Sequence, residues 1–166
     1  MAPKSESEPG SARLDQLWRR GRELLGVRYA ILGGAMSWLS ERHLVAAISN
    51  AGGFGVIACG AMTPDLLEAE IKATAERTDK PFGVNLITMH PEIEDLMTVC
   101  VACGVGHVVL AGGLPRTADI ERLKQAGIRV LGFAPALAVA RRLVRAGIDG
   151  IIVEGAEAGG HIGPVA

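Results

Sequence analysis

Aromatic side chains make up only 4% of the 166 residues, three Phe, two Trp and one Tyr. A core without large rings has to be filled by small and branched aliphatics, which the 49% hydrophobic content supplies. Together with 22 glycines, that is the composition of an α/β domain with many tight turns rather than an all-β one. Cysteine is nearly as scarce: Cys59, Cys100 and Cys103 form an odd, sparse set that argues against a disulfide framework. Seventeen basic residues against 18 acidic ones leave a net charge of −1, so the electrostatic footprint of a polyanion binder is missing and nucleic acid is not an expected partner. Long apolar runs are absent too. The longest, Met97 to Gly113, is broken by His107 and by glycines and divides into a helix end and a strand, so no membrane span is expected. The first ten residues are polar, carry Pro3 and Pro9, and contain neither a secretory core nor an Arg-rich transit helix. Residues 1–12 are therefore expected to be a disordered tail on a cytoplasmic protein, and residues 13–166 its folded domain.

Several signatures of common chemistry are missing as well. There is no G-x-x-x-x-G-K-[ST], no G-x-S-x-G and no H-E-x-x-H, and Gly52, Gly53 and Gly55 precede or lie within a strand instead of opening a helix, so they are not a dinucleotide fingerprint. Cys100 and Cys103 do match C-x-x-C. They fall at a helix end on the face of Ile93, Leu96 and Met97, and no helix N-terminus is there to lower a thiol pKa, so they read as packing.

What is present is a repeat. Asn50-Ala51-Gly52, Ala102-Cys103-Gly104, Gln125-Ala126-Gly127 and Arg145-Ala146-Gly147 each put a small residue and then glycine at a helix end, a few residues before a β-branched run. An amphipathic helix from Ser11 to Gly26 leads in, and the first strand is expected at Tyr29 to Leu32. Ser40 is the expected cap of the next helix, and Thr63-Pro64-Asp65 has the residues of a helix start. Strands then begin roughly every 24 residues, one βα unit each. Six such units fit a finished doubly wound sheet or the first six units of a (β/α)8 TIM barrel. Closing a barrel would take on the order of 50 to 70 more residues, and the end in a loop after the sixth strand favours a C-terminally truncated barrel.

The sixth strand, Ile151-Ile152-Val153, is expected to be short and buried. It runs into Glu154-Gly155-Ala156-Glu157-Ala158-Gly159-Gly160-His161, a small-residue loop carrying two carboxylates and one imidazole. Ligands of parallel α/β proteins sit beyond the carboxyl ends of strands, where Gly and Ala let backbone amides approach closely. The loop is therefore the expected seat of chemistry, with Gly33-Gly34-Ala35-Met36, Gly60, Asn85 and Gly112-Gly113 converging on the same face to admit a flat ligand.

Four segments, Gly33 to Trp38, Asn50 to Ile57, Thr78 to Asn85 and Glu154 to Gly163, together resemble the nitronate monooxygenase family, formerly called 2-nitropropane dioxygenases. Flavin-dependent enoyl-ACP reductases share the pattern. Ala30 stands where the family usually has proline, and Gly33 where it often has glutamine. The resemblance implies a (β/α)8 barrel that binds FMN and oxidises alkyl nitronates with O₂ to carbonyl compounds and nitrite or nitrate. It places the flavin ring against the backbone of Ala35 and Met36, with Asn85, Lys124, Gly159 and Gly160 beside the cofactor and His161 facing the substrate. No metal is implied. The implied partners are a small-molecule nitronate and O₂, with a homodimer as the candidate assembly. The family's FMN phosphate is held by loops after strands seven and eight, so residues 1–166 by themselves are expected to hold FMN weakly. Two other readings stand beside this one, an NAD(P)H-dependent enoyl-thioester reductase and a non-catalytic fragment or binding module.

Overall fold

A computed structural model of the chain describes residues 9–159. Helix α1 (Pro9–Leu25) precedes β1 (Leu32–Gly33), α2 (Arg42–Asn50), β2 (Phe54–Ala58), α3 (Pro64–Ala75), β3 (Phe82–Ile87), α4 (Ile93–Ala102), β4 (His107–Ala111), α5 (Thr117–Gln125), β5 (Arg129–Phe133), α6 (Leu137–Arg145) and β6 (Gly150–Ile152). The strands lie in the order β1-β2-β3-β4-β5-β6, every neighbouring pair parallel. A doubly wound sheet reverses its order at a switch point, and this one never does. The fold is thus an arc of a (β/α)8 barrel, six of its units, which resolves the choice that the repeat alone leaves open.

The glycine punctuation is what makes the units. Gly52, Gly104, Gly127 and Gly147 all have positive φ, between 67° and 92°. The amide of the next residue then reaches back five positions: Val105 to Cys100, Ile128 to Leu123, Ile148 to Leu143. This is the Schellman closure, which satisfies the helix's last carbonyls and turns the chain into the following strand. At the other end of α3, Thr63 Oγ1 accepts from the amide of Leu66 at 3.3 Å with Pro64 in the first turn.

Strand side chains alternate between two cores. Ile57, Val84, Leu86, Val108, Leu110 and Val130 face the helices. Phe54, Val56, Val109 and Leu131 line the concave side with Leu25 from α1. The end of α1 closes the arc from below, at the amino ends of the strands. Its Leu24 carbonyl accepts from His107 Nε2 at 2.8 Å and from Arg129 Nη1, which also donates to the Glu23 carbonyl at 3.1 Å. Among the described residues, no helix is long and apolar enough to cross a membrane.

Four elements depart from the sequence reading. Helix α1 starts at Pro9, so Ser11 lies inside it and part of the expected tail is helical; residues 1–8 are outside the described residues. Strand β1 is Leu32–Gly33 rather than Tyr29 to Leu32, because among the described residues it pairs with β2 alone and the Tyr29 and Ile31 amides bond to Gly52 O and Tyr29 O instead. Helix α2 is capped by Glu41, whose carboxylate accepts from the amides of His43 and Leu44, and not by Ser40. Strand β6 is Gly150–Ile152 and is not buried: Ile151 is 37% and Val153 70% exposed, since among the described residues it pairs with β5 alone.

Candidate active site

The carboxyl ends of the strands form the mouth of the arc, and its best-defined wall is the β1–α2 loop. Buried Ser40 holds that loop together. Its Oγ accepts from the amide of Met36 at 2.9 Å and donates to the carbonyl of Gly34 at 3.1 Å, while its own carbonyl accepts from the amide of Ala58 on β2 at 3.0 Å. The carbonyl of Met36 takes the amides of Leu39 and Ser40, at 3.0 and 2.9 Å. Both backbone polar groups of Met36 are therefore committed inside the loop, and only its side chain, 47% exposed, is offered outward. The peptide groups of Ala35, by contrast, take part in no hydrogen bond among the described residues, and a Cβ built on Gly34 would meet nothing within 4 Å. The loop presents open, small-residue surface with unengaged backbone beside it.

Asn85 stands on the concave face, in register with Ala58 on β2 and Val109 on β4. Its Nδ2 donates to the Val109 carbonyl at 3.1 Å, which fixes the amide so that Oδ1 is the free end; among the described residues nothing donates to it. Asn85 as a residue is only 8% exposed, yet Oδ1 is not among the buried atoms left without a partner, so it is open to solvent at the mouth and free to accept from a ligand. The backbone carbonyl of Asn85 is held by Cys59, whose Sγ donates at 2.9 Å. Burial pushes the Cys59 thiol up to about 12, so it acts as a hydrogen-bond donor and not as a nucleophile. Burial likewise raises Cys100 and Cys103, in accord with their reading as packing.

Next around the mouth, Gly112 has φ 80°, and a Cβ there would come within 2.7 Å of Ile87 Cγ2. Only glycine lets the β4–α5 loop lie against the end of β3. In the β6 loop Glu154 is half-buried, Glu157 is exposed with its carboxylate folded back against Gly155, and Gly159 is exposed with open space above its Cα. Gly160 and His161 lie outside the described residues.

Lys124 does not join this group. It sits in the last turn of α5, and its Nζ donates to Asp149 Oδ1 at 2.6 Å, while Asp149 Oδ2 accepts from the Val130 amide at 2.8 Å. Helix α5 runs from the mouth back to the amino ends of the strands, so Lys124 is roughly a strand's length, about 16 Å, from the end that Ala35 and Asn85 share. Two clefts, of about 590 and 430 Å³, also lie away from the mouth, one along α1 at Asp15 and Arg19, the other beneath α3 and α4 at Lys80 and Cys103. Both are open, and the second is lined by His107, whose Nδ1 is buried without a partner among the described residues. What the sequence reading missed is Ser40 as the loop's clasp. Its spacing four residues after Met36 is a signal, but only the fold shows which carbonyl and amide it bridges.

The chain matches the model of the nitronate monooxygenase family over residues 19–166. It is 39% identical over 144 residues to a (3aS,4S,5R,7aS)-5-hydroxy-7a-methyl-1-oxo-octahydro-1H-indene-4-carboxyl-CoA dehydrogenase of Mycobacterium tuberculosis, covering 87% of this chain and 40% of that protein. To a nitronate monooxygenase of Paraburkholderia phytofirmans it is 32% identical over 178 residues, covering 84% and 49%. Among solved structures it resembles FabK from Thermotoga maritima, with a TM-score of 0.85, 44% identity and coverage of 89% and 47%. Nitroalkane oxidase from Streptomyces ansochromogenes follows at 0.77, 29%, 87% and 50%. The chain spans half or less of the length of these relatives.

Proposed function

The chain belongs to the nitronate monooxygenase family, and from that premise we propose that its mouth binds FMN and that the protein oxidises alkyl nitronates with O₂. The observation that carries the reading is the set of unengaged polar groups at the mouth, the Ala35 peptide and Asn85 Oδ1, among small residues and apolar side chains. That donor and acceptor set fits a flat heteroaromatic ring with N–H and carbonyl groups along its rim. The chemistry a bound FMN supplies is electron transfer from the nitronate anion to O₂, which leaves a carbonyl compound and nitrite or nitrate.

In this reading the residues have separate tasks. Ala35 offers its backbone N–H and carbonyl, Asn85 Oδ1 accepts from a ring N–H, and the Met36 side chain gives an apolar flank. Gly159, with open space above its Cα, would let backbone amides of the β6 loop approach the cofactor, and the resemblance gives Gly160 the same task. His161, as a cation, would stabilise the nitronate oxygens by a charge-assisted hydrogen bond. As a neutral imidazole it would remove the α-proton of a nitroalkane. Lys124, committed to Asp149 at the other end of the strands, is not part of this set.

The test is to incubate the protein with FMN and ethylnitronate and follow nitrite release and O₂ uptake together. Concurrent nitrite release and O₂ consumption support the reading; neither, with flavin bound, overturns it. A second reading is reduction or oxidation of a carbon skeleton carried as a CoA thioester, favoured by 39% identity to a relative named for a carboxyl-CoA substrate. Rapid anaerobic bleaching of the flavin by NAD(P)H, reversed by an enoyl-CoA, would select it.

A further inference from the structure

Trp38 is the single non-glycine residue with positive φ among the described residues, at 65°. A bulky side chain rarely occupies that region, and such strain persists only where neighbouring bonds over-determine it. Here Ser40 supplies those bonds, on Gly34 and Met36 just before the strained residue. The strain does not serve packing, because the indole is 73% exposed. Nor is it alone. Met36 and Leu39 on the same loop are 47% and 63% exposed, Met89 on the β3–α4 loop is 75% and Leu114 on the β4–α5 loop 41%. Three of the mouth's loops thus carry large exposed apolar side chains.

We propose that Trp38 is a specificity-determining residue, and that its indole takes up the apolar body of the substrate, so that the site selects anions with a long or bulky hydrocarbon portion over small ones. The inference rests on the mouth being the active site. An anionic head is held deeper in the mouth, and the chain beyond it lies across the rim, where the loop's fixed geometry presents an aromatic face at little entropic cost.

The probes are butanoate and nonanoate, unreactive planar anions that stand in for short and long nitronates, titrated calorimetrically into the protein with FMN present. Nonanoate should bind about tenfold more tightly, the free energy of burying roughly two methylenes. Trp38→Gly, whose backbone accepts φ 65° without strain, should lower that preference below about twofold while leaving the melting temperature within about 3 °C. Trp38→Phe should keep most of it. An undiminished preference in Trp38→Gly, or none in the unsubstituted protein, would overturn the proposal. FMN retention is read separately from the visible spectrum, so a chain-length preference without bound flavin would uphold Trp38 and overturn the cofactor reading instead.

Discussion

At the floor of the arc the side chains that join the strands to α1 and to one another are hydrogen-bonded, with His107 Nδ1 the buried atom left over among the described residues. His107 and Arg129 donate to the last carbonyls of α1, and Lys124 pairs with Asp149, which also takes the Val130 amide. At the mouth of the same strands the Ala35 peptide and Asn85 Oδ1 are unengaged among the described residues, the loops carry glycines at 34, 60, 112 and 113, and large apolar side chains stand exposed. Both ends are made by the same six units, so the difference is in the side chains and not in the architecture. A satisfied end contributes stability, and an unsatisfied one is available to a ligand. Substitutions should therefore separate: mouth residues should alter chemistry at constant stability, and floor residues the reverse.

The largest expected effect is at the mouth. His161→Ala should lower nitronate turnover by about 10²- to 10⁴-fold with flavin retained, as removal of a general base or oriented donor does. A fall of less than tenfold would remove His161 from the catalytic set. On the floor side, Phe54 is fully buried against His107, ring centroids 4.9 Å apart, and Phe54→Ala should cost about 3 to 5 kcal/mol in urea unfolding with no change in the KM of the surviving folded enzyme. A changed KM at full folding would show that the two ends are coupled.

How much of this was legible in the sequence depends on the range of the cause. The glycines at 52, 104, 127 and 147 act within five residues through their own φ, so the βα rhythm could be read directly, and Thr63 capped α3 as its local sequence implied. Ser40 is not the cap its sequence suggests, because Glu41 is an equally local competitor and the carbonyl and amide that Ser40 bridges lie in the preceding loop. The short β1 and the exposed Ile151 follow from which strands have one neighbour and which two, a property of the sheet and not of the segment. Ala35, Met36 and Asn85 fall at or beside the mouth. Lys124 does not, since an alignment carries a residue type but not the direction in which its helix runs.

Smaller effects sharpen the contrast further. Replacing Cys100 and Cys103 by alanine should cost about 1 to 2 kcal/mol each and leave turnover intact, because burial raises both thiols away from reactivity. A double variant that folds and is inactive would contradict this. The smallest effect is a pH dependence at the floor. Burial lowers the pKa of His107 from its ordinary 6.5, against the opposing hydrogen bond to Leu24, and its Nδ1 is buried without a partner. The unfolded chain then binds the proton more readily, so this contribution is complete above about pH 6.5 and is lost as the pH falls below it. Melting temperatures at pH 7.5 and 5.5 should differ less in His107→Leu than in the unsubstituted protein, and an equal difference would remove His107 as the cause. Glu70 acts in a lower window. Burial alone would raise it, but the hydrogen bonds and charge of Arg42 outweigh burial and hold it below its ordinary 4.5, so its contribution is lost only as the pH falls beneath that value.

The most direct measurement is a titration of the ¹⁵N-labelled protein with FMN, followed residue by residue in ¹⁵N–¹H spectra, which reports weak binding as well as tight. Binding at the mouth should move the amides of Gly34, Ala35 and Gly112 and the side-chain amide of Asn85, and leave those of Gly127, Asp149 and Arg129 at the floor in place. Shifts confined to the floor residues, or none at the mouth with FMN at millimolar concentration, would contradict the assignment of the mouth as the cofactor site.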